Sequence, residues 1–367
     1  MKAITNHFKL PAALMFCSFV FFYGCTKEII VNDLGSSIEY QAKEIAPGIE
    51  IGDVYSTKNF AAFTDIAYYD NAWYITFRVG TKHGGGLNGE IKVLKSNDAI
   101  TWTVQHIIEN DSLDLRDPKF LVDSTNNTLY LTYTGIKPQE SSSLKIHGFI
   151  VSYNLNVNNW DNPQFITYGN MGVEQFWFWR LIYLKGKIYC PAYHVPILGG
   201  YTTDNICLFN NNNDFKTFTP VGRLQLGKSP NEATIRFDAN NNMYFLIRRE
   251  AANAALGFST AVDYTKVTWI EDPLSTRLSS PNFLFYNNKL LICGRDQNDS
   301  RFKFFSYNLG TKKIEKIYPF PSGDETGYGG MSFNPANKDE LLISYYVING
   351  ERSYIKLIRA DLKTFLQ

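Results

Sequence analysis

Residues 229–250, with the sequence SPNEATIRFDANNNMYFLIRRE, are the segment that most constrains the fold of this chain. They read as a β-hairpin with an alternating first strand, a turn of Asp and Asn at 238–242, and an apolar return strand. In an antiparallel hairpin, the start of one strand lies beside the end of its partner. Glu232 and Arg248 are therefore predicted to be neighbours at one edge of a sheet.

The same hairpin pattern occurs six times along the chain. The copies align by their turn residues: Asp70, Asp123, Lys185, Asp238, Asn287 and Asn334. Neighbouring copies are roughly 50 residues apart, as expected when each repeat is one four-stranded blade of a propeller. Aromatic residues make up 15% of the sequence, and no stretch has sustained helical periodicity. The sequence predicts an all-β fold, a six-bladed β-propeller of four-stranded antiparallel blades, over residues 51–367.

The N-terminal segment predicts export. Residues 1–24 combine two lysines with an apolar stretch, which is typical of a secretory signal rather than a membrane span. The following Cys25 resembles the lipidated cysteine of bacterial lipoproteins; the alternative is an ordinary signal peptide with an incidental cysteine. Residues 25–50 are polar and are predicted to be a flexible tether. We therefore expect an exported protein, lipid-anchored to a bacterial membrane and facing the periplasm or the cell exterior.

Charge and cysteine content narrow the classes of partner. The net charge of +1 argues against a nucleic-acid partner, which requires a basic face. Besides Cys25, three cysteines would remain after processing, without metal-site spacing, and buried free thiols are favoured over a disulfide: Cys190, Cys207 and Cys293. No sequence pattern requires a cofactor or a metal ion.

The aligned hairpins place two columns of residues around the propeller axis, because their strands form the innermost pair of each blade. The first column, six residues before the turn, contains Thr64, Asp117, Trp179, Glu232, Pro281 and Tyr328. The second column, at the ends of the return strands, contains Arg78, Arg248 and Arg295. Guanidinium groups bind carboxylates through paired hydrogen bonds, so three arginines around one axis imply an anionic ligand. The alternative is three local ion pairs: Arg78 with Asp65, Arg248 with Glu250, and Arg295 with Asp296.

Three residues of the first column suit acid–base and nucleophilic chemistry. Tyr328 lies in GDETGYGG, and a tyrosine beside a carboxylate such as Glu232 can act as a nucleophile. The alternative is a core tyrosine, one of 23 in the chain. Asp117, in DLRDPKF, is a candidate general acid whose pKa its surroundings would have to raise. Asp114 is an alternative acid, and a structural pairing of Asp117 with Arg116 is also open.

Further residues are predicted to line the same rim. Trp179 could stack against a sugar ring or belong to the core. His83, in TKHGGG, falls in a rim loop where it could contact substrate. Arg116 is a further candidate contact for substrate. Arg249 is an alternative to Arg248 as the arginine of this hairpin that binds substrate.

These motifs resemble those of the bacterial exo-sialidase superfamily, the six-bladed propellers with BNR (Asp-box) repeats, and its sialidase-like lipoproteins. The similarity covers about residues 60–360 and is carried by FRVG, LRDPKF, PNEATI, LIRRE, CGR and GYGG, with a degenerate Asp-box, SNDAITW, ending at Trp102. The chain departs from the family in having FRVG in place of FRIP and eroded Asp-boxes. The resemblance implies an arginine triad at Arg78, Arg248 and Arg295, a general acid at Asp117, a nucleophile at Tyr328 and its base at Glu232.

The expected function is that of a retaining glycoside hydrolase that releases a terminal anionic sugar, most simply sialic acid, from a glycan. One alternative is a surface propeller that binds glycans without catalysis. Another is hydrolysis of a different sugar by Asp117 and Glu232, whose carboxyl groups would then lie about 5–5.5 Å or 6.5–9.5 Å apart. A tyrosine-based site instead requires Glu232 to contact Tyr328.

Overall fold

A computed structural model describes residues 34–84, 89–137, 145–169, 175–195, 206–212 and 214–367. The described chain forms six small β-sheets and a single four-residue helix, α1 (Leu362–Phe365). The sheets are antiparallel apart from one two-residue parallel pairing. The predicted six-bladed β-propeller is confirmed.

Three strands precede the first hairpin: β1 (Ser37–Glu39), β2 (Lys43–Ala46) and β3 (Ile49–Thr57). β1 pairs with the outer strand of blade one, and β3 pairs with the last strand of the chain, so the N-terminal segment completes blade six. Part of the predicted tether is therefore folded. Its strands β1 and β2 are short edge strands with mostly exposed side chains, and its buried residues are Tyr40 and Ile49.

The first three blades contain the strands up to residue 224. Blade one contains β4 (Phe60–Tyr69), β5 (Ala72–Gly80), β6 (Glu90–Ser96) and β7 (Thr101–Ile108). Blade two contains β8 (Asp114–Asp123), β9 (Thr128–Ile136), β10 (Ile146–Asn154), β11 (Asn159–Trp160) and β12 (Gln164–Phe165). Blade three contains β13 (Thr167–Tyr168), β14 (Gln175–Phe178), β15 (Ile182–Leu184), β16 (Lys187–Val195), β17 (Ile206–Asn212) and β18 (Thr217–Leu224).

The last three blades are more regular. Blade four contains β19 (Pro230–Phe237), β20 (Met243–Arg249), β21 (Ala255–Ser259) and β22 (Thr268–Ile270). Blade five contains β23 (Leu278–Tyr286), β24 (Lys289–Asp296), β25 (Arg301–Asn308) and β26 (Lys313–Pro319). Blade six contains β2 and β3 with β27 (Glu325–Asn334), β28 (Asn337–Asn349) and β29 (Arg352–Asp361).

The core lies between adjacent blades, where aromatic side chains bridge neighbouring sheets. Tyr74 of blade one contacts Tyr153 of blade two with ring centroids 5.8 Å apart, and Phe302 of blade five stacks on Tyr345 of blade six at 4.6 Å. Aromatic pairs of this kind add to the free energy gained from buried area. The predicted free buried thiols are confirmed: Cys190, Cys207 and Cys293.

A repeated turn joins the third and fourth strands of several blades. In blade one, Oδ1 of Asp98 accepts hydrogen bonds from the backbone N–H groups of Ile100 and Thr101, both at 2.8 Å. Trp102, which follows, is fully buried. The same side-chain-to-backbone turn recurs at Asp214, Asp263 and Asn308. The side-chain oxygen thus replaces a backbone acceptor at each of these connections.

The innermost strands carry a two-residue bulge in five blades. The register shifts between Ala62 and Asp65, Arg116 and Lys119, Pro230 and Ala233, Ser279 and Asn282, and Gly327 and Gly330. The first bulge residue has a positive φ in four of them: Phe63, Asp117, Ser280 and Tyr328. A bulge redirects side chains. It also corrects the predicted column, because Glu232 is the second residue of its bulge whereas Asp117 and Tyr328 are the first.

The predicted signal peptide, residues 1–24, and Cys25 lie outside the described residues. Among the residues that are described, no helix is long and apolar enough to cross a membrane.

Candidate active site

Tyr328 and Glu232 meet at the centre of the site. The Tyr328 hydroxyl donates a hydrogen bond of 2.7 Å to Oε1 of Glu232, which is 4% exposed. Ser280 joins the two residues, because its N–H donates to Oε2 of Glu232 at 2.6 Å and its Oγ accepts from the N–H of Tyr328 at 2.9 Å. The three residues come from the bulges of blades four, five and six.

The glycines after Tyr328 allow the blades to approach closely. A Cβ at Gly330 would lie 2.3 Å from the backbone nitrogen of Ile66 in blade one. Such a distance excludes a side chain without movement of the backbone. The GYGG motif therefore reflects tight packing of blade six on blade one, which fixes where the Tyr328 ring stands.

Arg248 holds two carboxylates. Its Nη1 lies 2.9 Å from Oε1 of Glu232, and its Nη2 lies 2.7 Å from Oε1 of Glu250. The predicted proximity of Glu232 and Arg248 is confirmed, and so is the local pairing of Arg248 with Glu250. Glu232 thus accepts hydrogen bonds from a phenol, a guanidinium and a backbone N–H, and these contacts fix the position of its carboxyl group.

The phenol is strongly held in its protonated form. Burial raises the pKa of Tyr328 well above its ordinary value, and the negative charges of Glu232 and Asp117 raise it further, while Arg248 opposes them. The Tyr328 hydroxyl is therefore protonated in the resting protein, and Glu232 is the group that accepts its hydrogen bond.

Asp117 has the properties of a group that can donate a proton. It is half-buried, and within the described part of the chain its Oδ1 has no hydrogen-bond partner. Burial raises the pKa of Asp117 to about 6, with Lys119 opposing and Glu232 adding to the shift. A carboxyl group with this pKa is partly protonated near neutral pH.

Arg78 is buried in a local cluster. Its Nη2 and Nε lie 2.6 and 2.9 Å from Oδ1 of Asp114, its Nη1 donates to the carbonyl of Lys82, and the residue is 0% exposed. The other oxygen of Asp114 accepts from Arg116 at 2.6 and 2.8 Å. Asp114 is therefore saturated and not placed to act as an acid. Arg116, with 15% of its side chain exposed, is the more accessible arginine of the two.

The predicted local pair of Arg78 with Asp65 is wrong. Asp65 instead pairs with Arg180, whose Nη1 lies 2.8 Å from Oδ2 and 2.9 Å from Oδ1 of Asp65. The two-residue bulge in β4 shifts Asp65 away from the end of β5, so the two residues no longer face each other.

Arg295 is the one arginine of the predicted triad with a free guanidinium. Among the described residues it makes no hydrogen bond or ion pair, and its Nε is buried. It runs beside Gly327, since a Cβ there would lie 3.6 Å from its own Cβ. The predicted pairing with Asp296 is wrong, because Asp296 forms a salt bridge of 2.7 Å with Lys303.

His83 lies at the same rim. Its Nδ1 is 2.6 Å from Oε1 of Glu325, and its side chain is 51% exposed. The ring packs at 5.2 Å against Phe63, which in turn packs at 4.7 Å against Tyr328. His83 is thus placed close to the nucleophile candidate, on its solvent side.

Two residues predicted to contact substrate, Arg249 and Trp179, are buried instead. Arg249 points to the opposite face of β20, as alternation requires, where its Nη2 and Nη1 bond the carbonyl and carboxylate of Glu271 at 2.6 and 2.9 Å. Trp179 is only 3% exposed and packs 6.0 Å from the Tyr328 ring. This burial supports the core interpretation of Trp179 over sugar stacking.

Lys119 and Ser280 are site residues that sequence reasoning missed. Lys119 is 2% exposed, and its ammonium lies 5.2 Å from the Trp179 ring centroid and 5.9 Å from that of Tyr328. Lys119 directly follows the bulge of β8, and Ser280 is the first residue of the bulge of β23. Only an alignment of the hairpins that included these bulges could have indicated the two residues. Among the described residues, no group of three or more His, Cys, Asp or Glu side chains is placed to hold a metal ion.

No family model matches the sequence, and no curated protein matches it. Solved structures do match its fold. A Hadza microbial sialidase has a TM-score of 0.63 at 12% identity, over 83% of this chain and 66% of that one. The chain has a sialidase-like propeller fold. The intramolecular trans-sialidase from Ruminococcus gnavus gives a TM-score of 0.59 at 11% identity, over 83% and 95% of the two chains.

A second kind of enzyme shares the sialidase-like propeller fold. The α-L-arabinofuranosidase from Fusarium graminearum has a TM-score of 0.63 at 12% identity, over 84% of this chain and 96% of that one. At such identities the likeness concerns the fold, and function has to be argued from the site.

Proposed function

We propose that the protein is a glycoside hydrolase that acts with retention of configuration and uses Tyr328 as its nucleophile. The observation that carries the proposal is the 2.7 Å hydrogen bond from the Tyr328 hydroxyl to the buried carboxylate of Glu232. A phenol is a weak nucleophile at neutral pH unless a neighbouring base takes its proton. Glu232, fixed by Ser280 and Arg248, is such a base.

The reaction proceeds in two steps. In the first, Oη of Tyr328 bonds to the anomeric carbon, its proton passes to Glu232, and the glycosidic bond breaks as Asp117 protonates the leaving oxygen. In the second, water attacks the anomeric carbon, Asp117 takes a proton from that water, and Tyr328 leaves and recovers its proton from Glu232. Two inversions give net retention.

The proposed substrate carries an anionic group, most simply the carboxylate of a terminal sialic acid. Arg295 supports this choice, because it is the arginine of the predicted triad without a partner in the described structure. Arg78 is fully buried against Asp114, so Arg295, with help from Arg248, would be the main contact of the substrate anion.

A neutral sugar is the second candidate. The observation that favours it is that Arg78 and Arg248 already have carboxylate partners, which reduces the charge left for an anionic ligand. The same Tyr328, Glu232 and Asp117 would carry out the reaction on a neutral glycoside.

Fluorogenic glycosides test both candidates. We expect turnover of a methylumbelliferyl sialoside to exceed turnover of the corresponding arabinofuranoside, and to be abolished in Tyr328→Phe. Faster turnover of the arabinofuranoside would instead favour a neutral sugar as the substrate. Saturable binding of a sialoside without turnover of any glycoside would identify a glycan-binding propeller and reject the hydrolase.

We also propose that the protein is exported and lipid-anchored at Cys25. Metabolic labelling with a palmitate analogue is expected to label the wild type and not the Cys25→Ala variant. Equal labelling of the two would reject the anchor.

A further inference from the structure

A buried lysine lies beneath the proposed active site. Lys119 is in β8, two residues after Asp117, and is 2% exposed. Within the described structure, its ammonium donates to the carbonyl of Pro118 at 3.1 Å and forms no salt bridge within 4.0 Å. An ammonium group removed from water and left without an ion-pair partner is costly. Its position therefore calls for an explanation beyond packing.

The surroundings of the ammonium are the side chains that do the proposed chemistry. The rings of Trp179 and Tyr328 have their centroids 5.2 and 5.9 Å from Nζ, within the range of a cation–π contact. These rings hold the lysine side chain in place. Since Trp179 is itself buried, the rings also exclude solvent from this side of the site.

Charged groups from several blades act on Lys119. Asp117 of blade two, Asp65 of blade one and Glu232 of blade four favour its charged form, whereas Arg180 of blade three opposes it. Asp65 is already engaged by Arg180 through both carboxylate oxygens. Glu232 is likewise engaged by Arg248 and by the Tyr328 hydroxyl. The carboxylate left to respond to the Lys119 charge is therefore that of Asp117, whose Oδ1 has no hydrogen-bond partner in the described structure.

We propose that Lys119 is a positioning residue of this site, whose buried positive charge controls the protonation of Asp117 and stabilises the negative charge that develops on Tyr328. The part of this inference that concerns catalysis rests on the proposed function. The effect of the Lys119 charge on the protonation of Asp117 concerns the resting protein and is independent of any substrate.

The titration of the two residues supports this coupling. Burial lowers the pKa of Lys119 to about 8, with Asp117 opposing the shift, so the lysine is charged at neutral pH. Burial raises the pKa of Asp117 to about 6, and Lys119 is the largest influence against that rise. Removal of the charge should therefore raise the pKa of Asp117 further, by about one unit or more.

Carbon-13 NMR of aspartate-labelled protein measures this directly. The Asp117 carboxyl signal is assigned by its loss in Asp117→Asn and titrated in the wild type, Lys119→Met and Lys119→Gln, with Lys119→Arg as the variant that keeps the charge. Lys119→Gln covers the case in which the methionine variant does not fold. Lys92→Met is the matched control, because Lys92 is 3% exposed and forms its own 3.0 Å pair with Glu90.

We expect the pKa of Asp117 to rise in both neutral variants and to stay near its wild-type value in Lys119→Arg and Lys92→Met. An unchanged pKa in folded Lys119→Met or Lys119→Gln would overturn the inference. In activity assays, the alkaline limit of kcat/KM should move upward in the neutral variants while the maximal rate falls about tenfold or more. If the wild type turns over no glycoside and the Asp117 titration still shifts, the proposed function fails and the electrostatic coupling stands.

Discussion

Tyr328 and Glu232 are 96 residues apart in the sequence, yet the phenolic hydroxyl lies 2.7 Å from the carboxylate. Two bulges bring them together, one in β27 and one in β19, and Ser280 from a third bulge bonds both. A base that is already in contact with its nucleophile needs no rearrangement before reaction.

Tyr328→Phe removes the nucleophilic oxygen and nothing else from the ring. We expect kcat/KM to fall by about three orders of magnitude or more, because an enzyme without its nucleophile retains only binding and electrostatic effects. Steady-state kinetics on an activated aryl glycoside measures this. Tyr307→Phe is the control, since Tyr307 is buried in blade five and its hydroxyl has no partner in the described structure. Comparable losses in the two variants would mean that the effect is structural.

Glu232→Gln keeps the shape of the base but removes its charge. We expect activity to fall by about 10²- to 10⁴-fold, the range of general acid–base catalysis. Glu271→Gln is the control, because Glu271 pairs with Arg249 on the outside of blade four and its side chain is 70% exposed. Full activity in Glu232→Gln would show that another group takes the phenolic proton.

The arginines of blades one and five should behave differently when each is replaced by methionine. Arg78→Met breaks a buried pair and should lower the free energy of unfolding by about 3 kcal/mol, as measured by denaturant titration. Arg295→Met breaks no ion pair in the described structure, so stability should change by less than about 1 kcal/mol. Its KM for an anionic glycoside should rise about 10- to 100-fold, as for the loss of a charged hydrogen bond. An unchanged KM would remove Arg295 from the substrate site.

Activity should decline on the alkaline side of about pH 6. Asp117 has to be protonated to donate to the leaving oxygen, and its pKa is raised to about 6 by burial, so its protonated fraction falls as the pH rises through that value. A pH profile of kcat/KM should therefore lose about tenfold per unit above it. Asp117→Asn should lack this limb, and its loss of rate should be smallest for glycosides with good leaving groups. An unchanged limb in Asp117→Asn would assign the titration to another residue.

The sequence was sufficient to predict the propeller architecture and the side-chain contacts within a single hairpin. Turn residues such as Asp70 and Asp238 repeat at the spacing expected for propeller blades. Antiparallel pairing within the hairpin of residues 229–250 predicted that Glu232 and Arg248 are neighbours, and they are. Both conclusions depend only on local pairing along the chain.

The partners of buried charges could not be predicted in the same way. Arg78 bonds Asp114 of the next blade rather than Asp65, because a two-residue bulge changes which side chains face each other. Lys119 acquires its place only when blades two, three and six pack together. Such contacts are set by tertiary structure, on which hairpin periodicity carries no information.

The role of Tyr328 as nucleophile is tested most directly by mass spectrometry of the protein after reaction with a fluorinated sialosyl fluoride, which slows the second step and traps the glycosyl-enzyme. We expect a covalent adduct on the peptide that contains Tyr328, absent from Tyr328→Phe and lost on incubation in buffer. An adduct on Asp117 or Glu232, or turnover of sialosides with no adduct on Tyr328, would contradict it.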